Sequence, residues 1–176
     1  MPSACSSPVL VLGVGNILLG DEGVGVHVIR QLERHTLPLD VELLDGGTAS
    51  LDLLDSIANR DKVVVIDAVK GGSEPGAIYR FTYSDIKAQR YIFTSLHQVG
   101  LLETLSIATY LNCMPREIIF FGIEPKQIDW GLELSPEAAA TVPRVIELVL
   151  AEIENKRPKK TAQSPKNRRK AASLKC

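Results

Sequence analysis

Three side chains of metal-binding and acid–base type fall where an apolar run gives way to a turn or helix: Glu22 in "GNILLGDEGVG", Asp67 closing "VVVID" and His97 opening "LHQVGLLETL". An ionised carboxylate directly after a run such as Val63–Ile66 is costly unless it is paired, hydrogen-bonded or bound to a metal. One nitrogen and two oxygen donors suit a divalent transition metal. Two neighbouring carboxylates would also push one pKa up, leaving an acid and a base to activate water. Both routes lead to hydrolysis. Each residue alone has a simpler role: Asp67 as the cap of the turn before "KGG", Glu22 as a first-turn acid complementing the helix dipole, His97 as an ordinary helix-start residue. Asp21 is the natural N-cap of the first helix.

The remaining candidates are weaker. Asp45, Gly46, Gly47 and Thr48 form a glycine-containing tract before a helix, where backbone can approach a ligand closely and line a substrate cleft. Capping of the next helix by Thr48 or Ser50 is the alternative. His27 and His35 read as surface positions of the first helix. Trp130, in the loop "GIEPKQIDWGLELSP", either covers a cleft or partner surface or packs in the core. No serine sits in G-x-S-x-G, and no cysteine lies near a histidine in sequence, so nucleophilic catalysis has no local support.

The opening "VLVLGVGNIL" imitates a dinucleotide-binding turn, but Leu18 stands where the third glycine belongs. Asp45 falls thirty residues past Gly15, where about twenty is usual for the ribose-binding acid. Asp21 and Glu22 would occupy the helix field that a phosphate needs. There is no phosphate-loop signature, and no nucleotide cofactor is expected.

These residues need a scaffold, and the hydrophobic pattern supplies one. Apolar strands "PVLVLGV", "VELLDGG", "DKVVVIDAV", "GAIYRFTYS" and "REIIFFGIEP" alternate with helices "DEGVGVHVIRQLERH", "ASLDLLDSIANR", "LHQVGLLETLSIATYL" and "SPEAAATVPRVIELVLAEIE". The second helix should turn Leu51, Leu54 and Ile57 inward, and the last should kink near Pro143. Residues 84–95 read as irregular. The alternation predicts an α/β fold, a three-layer α/β/α sandwich around a mainly parallel twisted sheet of about five strands. The short link from the third strand to "AIYRF" suits a hairpin, making one strand antiparallel.

The chain has 176 residues, 45% hydrophobic and 23% charged, the balance of one globular domain, expected over residues 1–155. That segment carries 11 basic and 21 acidic residues, a formal −10; from Lys156 onward there are 9 basic residues and no acid. The basic segment 156–176 has few large apolar residues and is expected to be a disordered tail. It holds no aromatic side chain on which a base could stack, so nucleic acid is not expected as a partner. Membrane association is not expected either: no apolar run approaches the ~20 residues of a spanning helix. The start has no signal-peptide pattern, and Cys5, Cys113 and Cys176 form no CxxC pair, which together point to the cytoplasm.

Taken together and in order, "GVGNILLGDEGVGV", "LLDGGTASLDLL", "VVVIDAV", "SLHQVGLLETL" and "FFGIEP" followed by "GLELSP" resemble the hydrogenase maturation proteases. These endopeptidases finish the large subunit of nickel–iron hydrogenases. The resemblance runs from about Val9 to Glu154. It implies that Glu22, Asp67 and His97 contact nickel already carried by the large-subunit precursor, and that a C-terminal peptide is then removed. The nickel would be supplied by the substrate. Glu22 and Asp67 would act as a carboxylate pair, or a metal would activate the attacking water. A non-catalytic nickel-sensing module on the same scaffold is the alternative. A monomer suits an enzyme that must grasp a large folded subunit.

Overall fold

The computed structural model describes residues 8–49, 51–88 and 96–154, and of residues 96–99 the backbone only. Strands β1 (Val9–Val14), β2 (Val41–Gly47), β3 (Lys62–Ala68), β4 (Ile78–Thr82) and β5 (Glu117–Ile123) form one sheet in the order β2-β1-β3-β5-β4. All neighbours are parallel except β4 and β5, which run antiparallel. The expected sandwich and mainly parallel sheet are both present. The antiparallel strand has a different neighbour from the one expected: β4 pairs with β5, not in a hairpin with β3. The reason lies in β3 and β5. Every residue of β3 is buried and β5 is buried over Ile118–Ile123, so each needs a strand on both sides, whereas half-exposed β4 suits an edge.

Strand alternation sorts the core into two layers. Val11, Val64, Ile66, Ala68, Ile119 and Phe121 face α1 (Val24–Leu32) and α5 (Pro136–Glu154). Leu10, Leu12, Val63, Val65, Ile118 and Phe120 face α2 (Leu54–Ile57) and α4 (Leu96–Tyr110). Burying each such aliphatic side chain contributes about 1.5–3 kcal/mol.

Local details depart from the sequence pattern. The first helix was expected from Asp21, but a 3-10 turn, Gly20–Gly23, precedes α1. A second 3-10 turn, Leu51–Leu53, precedes α2. It exposes Leu51 and buries Leu53, whose four-residue spacing to Ile57 defines the inward face. The segment read as irregular begins with α3 (Tyr83–Lys87), started by a capping box between Thr82 and Asp85. α5 is continuous through Pro143, which is exposed, so the bond it fails to make leaves its carbonyl partner on the solvent side. The tail, 156–176, lies outside the described residues.

Candidate active site

The chain order reverses at β1: β2 lies on one side of it and β3 on the other. The crevice between the carboxyl ends of β1 and β3 is therefore the sheet's switch point, the usual ligand position in such folds. Close backbone packing builds its floor. A Cβ on Gly25 would come within 2.3 Å of the Ile66 carbonyl oxygen and 2.4 Å of that of Val14, so only glycine lets α1 settle onto both strands. Gly15, with φ +138°, turns the chain out of β1; a Cβ there would lie 1.9 Å from the Glu22 carbonyl oxygen.

Glu22 is thus carried on a turn pressed against the end of β1 and in contact with β3, and it is only 6% exposed. Asp67, 4% exposed, sits one position beyond the last register pair of β1 with β3, Gly13 with Ile66. Alternation along β3 puts Asp67 on the side of Val63 and Val65, the side covered by α4. Glu22, on the turn that contacts β3, and Asp67, near the end of β3, lie at the same end of the sheet.

His97 lies in the first turn of α4, and its side chain is outside the described residues. The helix itself runs toward this edge. Its far end leads to Cys113 and Arg116, whose backbones bond Asn59 and Arg60 just before β3, at the sheet's opposite edge. Fifteen residues of helix reach about 22 Å back from there. α4 also touches the Leu51–Leu53 turn that follows the carboxyl end of β2. Among the described residues no group of three His, Cys, Asp or Glu side chains is close enough to hold a metal.

Beside this crevice a cleft of about 320 Å³ opens between residues 15–18, α1 and the end of β2, lined among others by Leu18, Arg30, Asp45, Gly47 and Thr48. Of the expected cleft tract, Asp45, Gly47 and Thr48 border this space. Gly46 does not: it is buried in a bulge of β2, where a Cβ would lie 2.7 Å from Leu12 Cδ1. Asp45 accepts the Gly47 N–H at 3.0 Å and lies 3.7 Å from Arg30, a half-exposed ion pair of small energetic weight.

Asp21 does not cap the first helix. Its carboxylate, 1% exposed, accepts the backbone N–H groups of Lys126 (2.8 Å), Gln127 (3.5 Å) and Ser135 (2.7 Å) and the Ser135 hydroxyl (2.8 Å). That hydroxyl accepts the Ala138 N–H and so caps α5. Lys126 in turn bonds Glu137 at 2.7 Å, which holds the Glu137 carboxyl below its ordinary value. Glu124, given no role by its sequence, does comparable work on the other rim. It accepts the N–H groups of Gly71 (2.8 Å) and Ser73 (3.3 Å) and the Tyr79 hydroxyl (2.5 Å), pinning the loop that follows Asp67. Glu124 carries the same signal as Asp67, an acid ending a buried strand.

The other candidates resolve simply. His35 is exposed, bonding the Gln31 carbonyl, whereas His27 is half-buried with Nε2 shielded from solvent. Trp130 is 85% exposed, which rules out core packing. No helix among the described residues is long and apolar enough to cross a membrane.

Known proteins share this fold and much of this sequence. The family model for hydrogenase maturation protease matches residues 26–152, a span that contains Asp67 and His97 and begins just after Glu22. The hydrogenase 2 maturation protease of Escherichia coli K12 is 39% identical over 145 residues, spanning 81% of this chain and 88% of that one. The solved hydrogenase maturating endopeptidase HybD from E. coli is 37% identical, with a TM-score of 0.77 over 82% of this chain and 91% of that one. The nickel–iron hydrogenase maturation protease HybD of Thermococcus kodakarensis is 30% identical, with a TM-score of 0.68 over 80% and 95% of the two chains. This chain belongs to the hydrogenase maturation protease family.

Proposed function

We propose that this chain removes a C-terminal peptide from the nickel-loaded precursor of a hydrogenase large subunit, working in the cytoplasm as a monomer. The observation that carries the reading is the pair of buried carboxylates, Glu22 on the turn that contacts β3 and Asp67 near the end of β3, at the carboxyl end of the sheet. The start of α4, with His97, is directed to the same edge. Nickel belongs to the substrate here. Glu22, Asp67 and His97 grip it and so seat the scissile peptide bond.

Each carboxylate has two oxygens, so one from each acid can contact the nickel while another accepts a proton from water. The water oxygen then bonds the scissile carbonyl carbon, and the proton passes to the leaving amide nitrogen as the carbon–nitrogen bond breaks. The cleft beside Asp45, Gly47 and Thr48 accommodates the extended segment. β2 is an edge strand, and its outer backbone can pair with such a segment in the manner of an added strand.

The test is to incubate the full chain with nickel-loaded and nickel-free precursor and follow the released peptide by mass spectrometry. The loaded precursor should be cut and the nickel-free one spared. Glu22→Gln and Asp67→Asn should each abolish release while retaining the wild-type circular dichroism spectrum. Tight precursor binding without release by the wild type would identify a nickel-sensing module instead, and full activity in both variants would overturn the site.

A further inference from the structure

Asp21 is buried more completely than Glu22, the residue beside it, yet the four hydrogen bonds its carboxylate accepts all lead to one distant segment. Its carboxylate ties the Gly20–Gly23 turn to both ends of the segment running from Lys126 to Ser135. A second tie lies alongside: the Gly20 N–H bonds the Gly131 carbonyl at 2.8 Å, and the Gly131 N–H bonds the Leu18 carbonyl at 3.0 Å. On its other side the turn is fixed by contact, because a Cβ on Gly23 would come within 2.8 Å of Ile17 Cα. The Glu22 backbone is therefore held between the loop after β1, at Gly15 and Ile17, and the loop after β5.

We propose that Asp21 is a positioning residue for the reaction: its carboxylate sets where Glu22 stands relative to Asp67. The proposal rests on the role given to Glu22 above. All four groups facing Asp21 donate hydrogen, so an asparagine in its place would set an NH₂ group against N–H or O–H donors whichever way it turned. The turn would shift away from the Lys126–Ser135 segment and carry Glu22 with it. A displacement near 1 Å in a catalytic group costs roughly a hundredfold in rate. The part of the cleft border formed by Asp45, Gly47 and Thr48, at the end of β2, makes no bond to this turn and would keep its contact with the substrate segment.

The experiment compares steady-state cleavage of nickel-loaded precursor by the wild type, Asp21→Asn and Ser135→Ala, at a temperature where thermal melts show each variant folded. Glu152→Gln, at the opposite edge of the sheet, serves as the control for lost stability alone. The expected result is a kcat lowered roughly tenfold to a hundredfold in Asp21→Asn, with any rise in KM smaller than the fall in kcat because Glu22 also holds the substrate's nickel. Ser135→Ala, which removes one of the four donors, should show a smaller fall of the same kind, and Glu152→Gln none. If Asp21→Asn does not fold, the Ser135→Ala result decides. A wild-type kcat in the folded variants, a loss confined to KM, or an equal fall in Glu152→Gln would overturn the proposal. An inactive wild type would instead refute the function on which it rests.

Discussion

Gly15 shows how much of the site depends on a missing side chain. A Cβ there would collide with the Glu22 carbonyl, at a φ of +138° that other residues rarely adopt. Gly72 is also at positive φ, +84°, yet a Cβ on it would meet nothing within 4 Å. Gly15→Ala should therefore cost on the order of 3 kcal/mol or more of stability, while Gly72→Ala should cost about 1 kcal/mol. Urea denaturation midpoints check this, and equal shifts would contradict it. At this scale the sequence was partly legible. An acid after a buried strand marked Asp67 as unusual, but Glu124 and Asp21 are acids of the same burial with a different use. What separates them is their partners, Gly71 and Ser73 for one and Lys126 and Ser135 for the other, and those residues lie 51 to 114 positions away. Spacing along the chain carries no trace of such bonds.

Elements were easier to read than residues, because hydrophobic period is a local property. All five strands and the long helices stand where the apolar runs place them. The failures occurred where period is short or competes with packing: the two 3-10 turns, the five-residue α3, and the partner of β4. Pairing of β4 was illegible because the link after β3 is equally compatible with a neighbour one strand away. α5 is fastened to the sheet at its far end by Lys62, buried at the start of β3, which bonds Glu152 at 3.0 Å and lies 3.4 Å from Glu117. Burial alone would push the Glu152 carboxyl up, but hydrogen bonds from Lys62 and Arg80, with their charges, outweigh it and hold it below 4.5. Because the folded value lies below the unfolded one, the stabilisation is complete above the unfolded value and is lost as pH falls through the folded one. Wild type should therefore exceed Glu152→Gln in denaturation midpoint near pH 7, with the gap shrinking as pH falls below the ordinary glutamate range. A gap that stayed constant would contradict the role of this pair.

The whole molecule divides its labour between the two edges of one sheet. The amino edge holds the Lys62 and Glu152 cluster, which fastens α5 to the sheet. The carboxyl edge gathers Glu22, Asp67 and the start of α4, framed by the loops that Asp21 and Glu124 tie down. The glycine turn after β1 keeps the position that dinucleotide-binding folds use for phosphate, but its Glu22 suits a cation. The measurement that tests this most directly is a crystal structure of the protein with nickel, located by anomalous scattering. The account predicts one nickel ion at the switch point, bound by Glu22, Asp67 and His97 at about 2.0–2.2 Å, as borderline divalent ions are. Nickel bound elsewhere, or these three side chains pointing to separate places, would contradict it.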